Sequence, residues 1–189
     1  MPKITFPDGR IENFKENVTG NLIAQSISKS LSKKAIAIKV DGVQKDLSDN
    51  IDQDASVSII TINSSEGLEI MRHTLAAQVL AKAVKNLYPK SKLAIGPTIE
   101  NGFYYDVLFD QPISSDDLPK IENEMKKIVS RGDNINKSFK TKVEALNLFK
   151  TRSEDYKIKI INQSDQDSNF QIYQQGDTEF IDLCRGPHL

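Results

Sequence analysis

A chain of 189 residues is long enough for one medium domain or two small ones. Hydrophobic residues make up 38% and charged residues 27%, an ordinary polar-leaning composition, and 25 Lys and Arg against 26 Asp and Glu leave a net charge of −1. That balance excludes a generic polyanion binder, although a local basic face could still dock RNA. A single Cys excludes an internal disulfide framework, and Met1 to Phe6 has no signal-peptide layout, so the expected compartment is the reducing cytoplasm. No apolar run approaches the length of a membrane span.

Residues 1–62 read as one small unit. Ile4-Thr5-Phe6 and Ile11 to Phe14 flank Pro7-Asp8-Gly9-Arg10, a strand–turn–strand signal. Thr19 can cap a helix from Gly20 to about Leu31 whose apolar face is Leu22, Ile23, Ile27 and Leu31. Ala35 to Val40 runs to an Asp41-Gly42 turn, Val43 follows, and Val57 to Ile62 closes the unit as a last strand. The order ββαββ suits a small sheet with one helix packed across it, and nothing in it carries catalytic chemistry.

Residues 63–189 form a second α+β region. Ser64 or Ser65 can cap a long helix ending before Pro89, with Leu68, Met71, Leu75, Val79, Leu80, Val84 and Leu87 as its core stripe and His73 off that stripe. Lys92 to Ile95 and Ile99 to Phe109 are strand candidates with an Asn101-Gly102 turn, and alternation sends Tyr104 and Tyr105 to opposite faces. Ser114 to Asp117 opens a helix that stops at Gly132. Its Lys126-Lys127 pair reads as a solvated face. A polar strand at Ser138 to Thr141 leads into the capping-box pattern Thr141-Lys142-Val143-Glu144 and a helix to about Arg152. Tyr156 to Ile161 alternates apolar residues with Lys157 and Lys159, which predicts a strand. Phe170 to Tyr173 and Thr178 to Leu183 form a last hairpin that delivers Asp182, Cys184 and His188.

That tail holds the only cysteine four residues before one of only two histidines, across Gly186-Pro187, which cannot continue a helix. The spacing fits a metal half-site, a thiol–base pair, or a buried Cys beside a surface His. Asp182 could equally pair with a nearby Lys, and Lys157 on a strand would be a solvated edge charge.

Taken together and in order, several strings carry a resemblance. They are the Phe6-Pro7-Asp8-Gly9 turn, Glu66 to His73 at the head of a long helix, Ala94-Ile95-Gly96-Pro97-Thr98-Ile99-Glu100-Asn101-Gly102-Phe103-Tyr104-Tyr105-Asp106, and Asp182-Leu183-Cys184-Arg185-Gly186-Pro187-His188. The chain closely resembles, over essentially all its length, the N-terminal half of bacterial threonyl-tRNA synthetases: a TGS domain of β-grasp type joined to the editing domain that hydrolyses seryl-tRNA(Thr). The resemblance implies an α+β fold, with a β-grasp domain at 1–62 and an editing domain with an antiparallel sheet and a long helix at 63–189. It also implies roles. Asp182 would hold the substrate amino group and hydroxyl, and Lys157 and His73 would orient the ribose and the attacking water. Cys184 and His188 would position or activate that water, and Tyr105 would line the pocket, with Tyr104 in the core. Gln78 and Arg185 would contact substrate, and no metal would be bound.

The sequence departs from the family in the helix. Where the family writes HxxxH, this chain has His73-Thr74-Leu75-Ala76-Ala77-Gln78, with one extra residue and Gln in place of the second His. On an α-helix, residues five apart diverge by about 140°, against about 40° for residues four apart. His73 and Gln78 therefore share a face only if the helix holds a π-type bulge, the arrangement favoured here. Without it, Thr74 and Gln78 face the site and His73 turns away.

By resemblance the family's large ATP-using domain would follow His188, so the chain is expected to be part of a longer enzyme and unable to charge tRNA alone. ATP, magnesium and zinc are expected only for that missing domain. The expected partner is tRNA(Thr) carrying serine, with no membrane, a monomeric fragment and a homodimeric full-length enzyme. Three other readings remain open: a tRNA-binding module with lost chemistry, an alanyl-type editing hydrolase, and a metal-dependent hydrolase.

Overall fold

The computed structural model describes residues 1–15, 17–178 and 180–189. It divides into two compact units, Met1–Met71 with Gly186–Leu189, and Arg72–Arg185.

In the first unit, β1 (Lys3–Thr5) and β2 (Ile11–Asn13) pair antiparallel around a turn closed by the Phe6 N–H on the Arg10 carbonyl at 2.9 Å. Gly9 takes φ +82 there, a conformation that other residues adopt only at a cost. β3 (Val18–Thr19) leads into α1 (Gly20–Ile27), and the Thr19 hydroxyl accepts from the Leu22 N–H. The single helix expected to reach Leu31 is instead broken at Ser28. Extended backbone there (φ −169, ψ 152) ends α1 and caps the short α2 (Lys29–Ser32), whose Leu31 N–H donates to the Ser28 hydroxyl at 3.0 Å. Leu22, expected in the core, is exposed, while Ile23 and Ala24 are buried.

The chain continues through β4 (Ala35–Val40), β5 (Val43–Lys45), β6 (Asn50–Ile51) and β7 (Ala55–Thr61). The main sheet runs β2-β1-β7-β4-β5, with β1 parallel to β7 and Ile4 opposite Ala55, and a separate pair joins β3 to β6. Ile4, Val18, Ile23, Ile38, Val40 and Val57 pack between helix and sheet. This is a β-grasp arrangement, as the ββαββ pattern anticipates; the two-residue strands β3 and β6 are too short for a sequence signal.

Ser64 begins the long helix, accepting from the Gly67 N–H at 3.0 Å while its hydroxyl donates to the Thr61 carbonyl. The helix has three parts: α3 (Ser65–Thr74), a π-helical turn (Leu75–Leu80) and α4 (Ala81–Leu87). The expected stripe is only partly core. Val79 and Val84 are buried, but Leu68, Leu75 and Leu87 are exposed, and Ala76, Ala77, Gln78 and Lys82 are buried instead. The wide turn adds a residue, so a stripe drawn at constant α-helical pitch drifts off the buried face. Burial holds the Lys82 amine below its ordinary value, against the pull of Asp133 at 3.6 Å.

The second unit continues with β8 (Lys92–Leu93), β9 (Thr98–Ile99), β10 (Gly102–Phe103) and β11 (Val107–Leu108), in pairs β9–β10 and β8–β11. Gly102 pairs with Ile99, so the hairpin turn is Glu100-Asn101, one residue earlier than expected. A 3₁₀ turn (Ser115–Asp117) capped by Ser114 opens α5 (Leu118–Arg131), which Gly132 ends at φ +62. β12 (Ile135–Lys140), α6 (Lys142–Thr151) with its Thr141–Glu144 capping box, α7 (Asp155–Gln163), β13 (Phe170–Gln175) and β14 (Ile181–Leu183) complete the unit. β12, β13 and β14 form one antiparallel sheet. Glu179, part of the expected last strand, lies outside the described residues.

The strand expected at Tyr156 to Ile161 is α7. The alternation of Tyr156, Ile158 and Ile160 with lysines imitates a strand, yet Ile158 and Ile161 are also three apart, and that helical pair packs with Phe149, Phe170 and Ile172. No helix among the described residues is long and apolar enough to cross a membrane.

Candidate functional site

Strand β14 and its continuation carry two of the expected residues. Asp182 and Cys184 are two apart, which in extended backbone sends both side chains to one face. The opposite face, Ile181 and Leu183, packs with Ile172, Phe149 and Ile161 beneath α6 and α7. The α7 helix supplies Lys157, which is buried rather than at a solvated edge, and its ammonium donates to Asp182 Oδ1 at 2.7 Å. The same oxygen accepts the Leu183 N–H at 2.9 Å. Asp182 does pair with a lysine, then, and the lysine is the one the resemblance singles out. Burial pushes the Asp182 carboxyl above its ordinary value, opposed by Lys157 and the Leu183 N–H.

From the helix, His73 brings Nε2 to 2.9 Å from Cys184 Sγ. Which of the two holds the proton depends on the imidazole tautomer. The π-helical turn begins two residues after His73, and within it the Ala81 N–H donates to the Ala76 carbonyl, five residues back. The bulge favoured from the altered HxxxH spacing is thus present, and the alternative in which His73 turns away from the tail is not realised. Gln78, within that turn, is fully buried.

Tyr105 is half-buried and packs with Val79, Val84 and Leu93. Burial first, then the negative charge of Asp182, Cys184 and Glu154, pushes its phenol well above the ordinary value, so it stays protonated. Tyr104 is 52% exposed, which corrects its expected core position: residues 104–106 lie outside the short strands, and only Tyr105 turns inward. Arg185 is exposed. His188 is buried and belongs to the first unit, where its backbone N–H donates to Asp46 at 2.8 Å.

A methyl group at Gly96 would lie 2.2 Å from the Tyr105 ring. Replacing Gly96 by alanine is therefore expected to displace Tyr105 while leaving the sheet of β12 to β14 intact. Tyrosine fluorescence and near-UV circular dichroism should change, with far-UV signal preserved; an unchanged near-UV spectrum would count against this packing.

A cavity of about 400 Å³ is lined by the Lys157–Asp182 pair together with, among others, Lys85, Phe149, Glu154 and Phe180. Lys85 bonds Glu154 at 2.8 Å and also donates to the Pro89 and Ser91 carbonyls. Sequence reasoning missed both residues: hydropathy assigns Lys85 to the surface, and Glu154 lies just ahead of Tyr156 to Ile161, the segment expected to be a strand. The acidic Glu154-Asp155 step ahead of paired isoleucines was the available sign of a helix start.

The TGS domain family model matches residues 2–61. The chain is 44% identical over 186 residues to a threonine–tRNA ligase of Rhizobium etli, covering 98% of this chain and 27% of that protein. It is 43% identical over 189 residues to that of Acidithiobacillus ferrooxidans, covering 100% and 29%, and 45% identical over 186 residues to that of Bartonella tribocorum, covering 98% and 28%. The chain thus spans less than a third of the length of the curated relatives it matches. It carries a TGS domain and is homologous, over essentially its whole length, to the N-terminal region of bacterial threonine–tRNA ligases.

Proposed function

We propose that the chain is the editing part of a threonine–tRNA ligase, with residues 63–189 hydrolysing the ester of serine mistakenly joined to tRNA(Thr) in the cytoplasm. The observation that carries this reading is the meeting, in one unit, of the His73–Cys184 contact with the buried Lys157–Asp182 pair. Discrimination needs a second site because a pocket built for threonine rejects serine, smaller by one methyl group, by only about 1–3 kcal/mol.

The residues divide the work. Both bonds to Asp182 use Oδ1, so Oδ2 is the oxygen that would accept from the substrate ammonium. Lys157, held by Asp182, directs its other N–H groups to the ribose hydroxyls. His73 takes a proton from the attacking water, and Cys184 fixes the imidazole at 2.9 Å. Water adds to the ester carbonyl, the tetrahedral intermediate collapses, and the ribose oxygen leaves with a proton returned by the imidazolium. A reactive ester needs no acyl-thiol intermediate. Tyr105, protonated, bounds the site. His188, Arg185 and Gln78 keep the contacts that the resemblance implies. ATP and metal chemistry are assigned to the rest of the longer enzyme.

The test is deacylation by the 189-residue chain of seryl-tRNA(Thr) and threonyl-tRNA(Thr). Serine release well above the buffer rate, with threonine spared and a chelator without effect, is expected. Binding of tRNA by folded protein without any turnover would overturn the hydrolase reading in favour of a binding module, and loss of activity with chelator would indicate a metal-dependent enzyme.

A further inference from the structure

The face of the β12–β13–β14 sheet that carries Asp182 and Cys184 continues away from them. In the observed register Lys137 lies opposite Tyr173, and Tyr173 opposite Asp182. One step along, Phe139 lies opposite Gln171, whose carbonyl accepts the Cys184 N–H at 3.3 Å. Directly opposed residues share a face, so Lys137 and Phe139 stand on the same face as Asp182 and Cys184, two strand spacings away, about 10 Å.

A single exposed Phe carries no message by itself. Phe139 differs in its setting. Phe139 is 56% exposed, and the Lys137 ammonium sits 5.5 Å from its ring centroid and 6.0 Å from that of Tyr173. An open aromatic face beside a cation has the two elements that hold single-stranded nucleic acid: a surface for a base and a charge for a phosphate. Gln171, the half-buried neighbour opposite Phe139 on this face, is polar, which suits a nucleotide better than an apolar peptide or a lipid surface.

We propose that Phe139 and Lys137 form a stacking platform for the single-stranded 3′ end of tRNA, receiving the base of a nucleotide that precedes the terminal one. The inference rests on the hydrolase reading for its direction: with the terminal ribose at Asp182 and Cys184, a strand leaving along the sheet reaches Phe139 after about 10 Å, roughly the span of one or two splayed nucleotides. Phe139 stacks on the base, and Lys137 meets the phosphate between the two sites.

The test compares wild-type chain with Phe139→Ala and Phe139→Trp. On seryl-tRNA(Thr), Phe139→Ala is expected to raise KM roughly 5- to 100-fold with kcat nearly unchanged, and Phe139→Trp to restore KM. On a tRNA made abasic at the two nucleotides before the terminal one, wild type and Phe139→Ala should converge. An unchanged KM, or the same ratio on the abasic substrate, overturns the platform. A second arm needs no hydrolysis: an uncharged RNA ending in single-stranded CCA, with 2-aminopurine in place of the penultimate base, should be quenched by wild type and not by Phe139→Ala. Quenching without turnover would keep the platform and remove the hydrolase; turnover without quenching would do the reverse.

Discussion

Replacing Lys157 by methionine is expected to cost the fold about 3–5 kcal/mol at neutral pH, and replacing Asp182 by asparagine to abolish deacylation of seryl-tRNA(Thr). The carboxylate is 2% exposed, and Lys157, 4% exposed, is its counter-ion at 2.7 Å. Methionine leaves that carboxylate desolvated and without its charge partner. Adding Asp182→Asn to Lys157→Met should recover much of the stability and none of the activity, because removing both buried charges avoids the penalty that removing one incurs. Urea unfolding of the single and double variants checks the first part, and deacylation the second. Equal stability of Lys157→Met and wild type would mean that the pair is solvated after all.

The pH dependence has a definite sign. A carboxyl whose folded value lies above its unfolded one binds more protons in the folded state. Asp182's contribution to stability is therefore greatest at low pH and falls as pH rises from the ordinary carboxylate value to the raised one. Asparagine at this position removes that slope. Lys157→Met, which deletes the positive charge opposing the shift, should move the Asp182 titration to still higher pH, read from its carboxyl carbon resonance whether or not the variant remains active.

Much of this arrangement was legible in the sequence, and the failures are local. Turns and caps were readable because they depend on a few adjacent residues: Thr19, Thr141 with Glu144, and Gly132 act where their chemistry says they should. The β-grasp order followed from apolar runs separated by Asp-Gly steps. The segment at Tyr156 to Ile161 failed because six residues satisfy both periods, and packing against Phe149 and Phe170 decides between them. That error also placed Lys157 at a solvated edge, when a helix carries it inward to Asp182. Pattern could not find the buried Lys82 or the Lys85–Glu154 pair, since hydropathy assigns lysine to the surface and only the fold supplies the partner. The π-helical turn was legible for a different reason: one residue too many between two positions that must share a face leaves few geometric solutions.

Inserting one alanine after Leu75 is expected to lower deacylation by roughly 10²- to 10⁴-fold, while deleting Leu75 leaves it within a few-fold of wild type. Each residue added to an α-helix turns what precedes it by about 100°. The π-helical turn at Leu75–Leu80 already absorbs one residue beyond α-helical spacing and still leaves His73 Nε2 at 2.9 Å from Cys184 Sγ. Removing Leu75, which is 37% exposed, lets the helix close as α with His73 and residue 78 four apart, about 40° from one another. A second insertion has no comparable way to be absorbed and swings the imidazole off the cysteine. The alkylation rate of Cys184 against pH provides a readout independent of tRNA, because a nearby imidazolium stabilises the thiolate. Its profile should survive the deletion and move toward that of an isolated thiol in the insertion variant. Equal loss in both variants would show that the helix tolerates no change in length, and equal activity would remove His73 from the chemistry; only the asymmetry fits a turn whose purpose is to keep His73 on the tail.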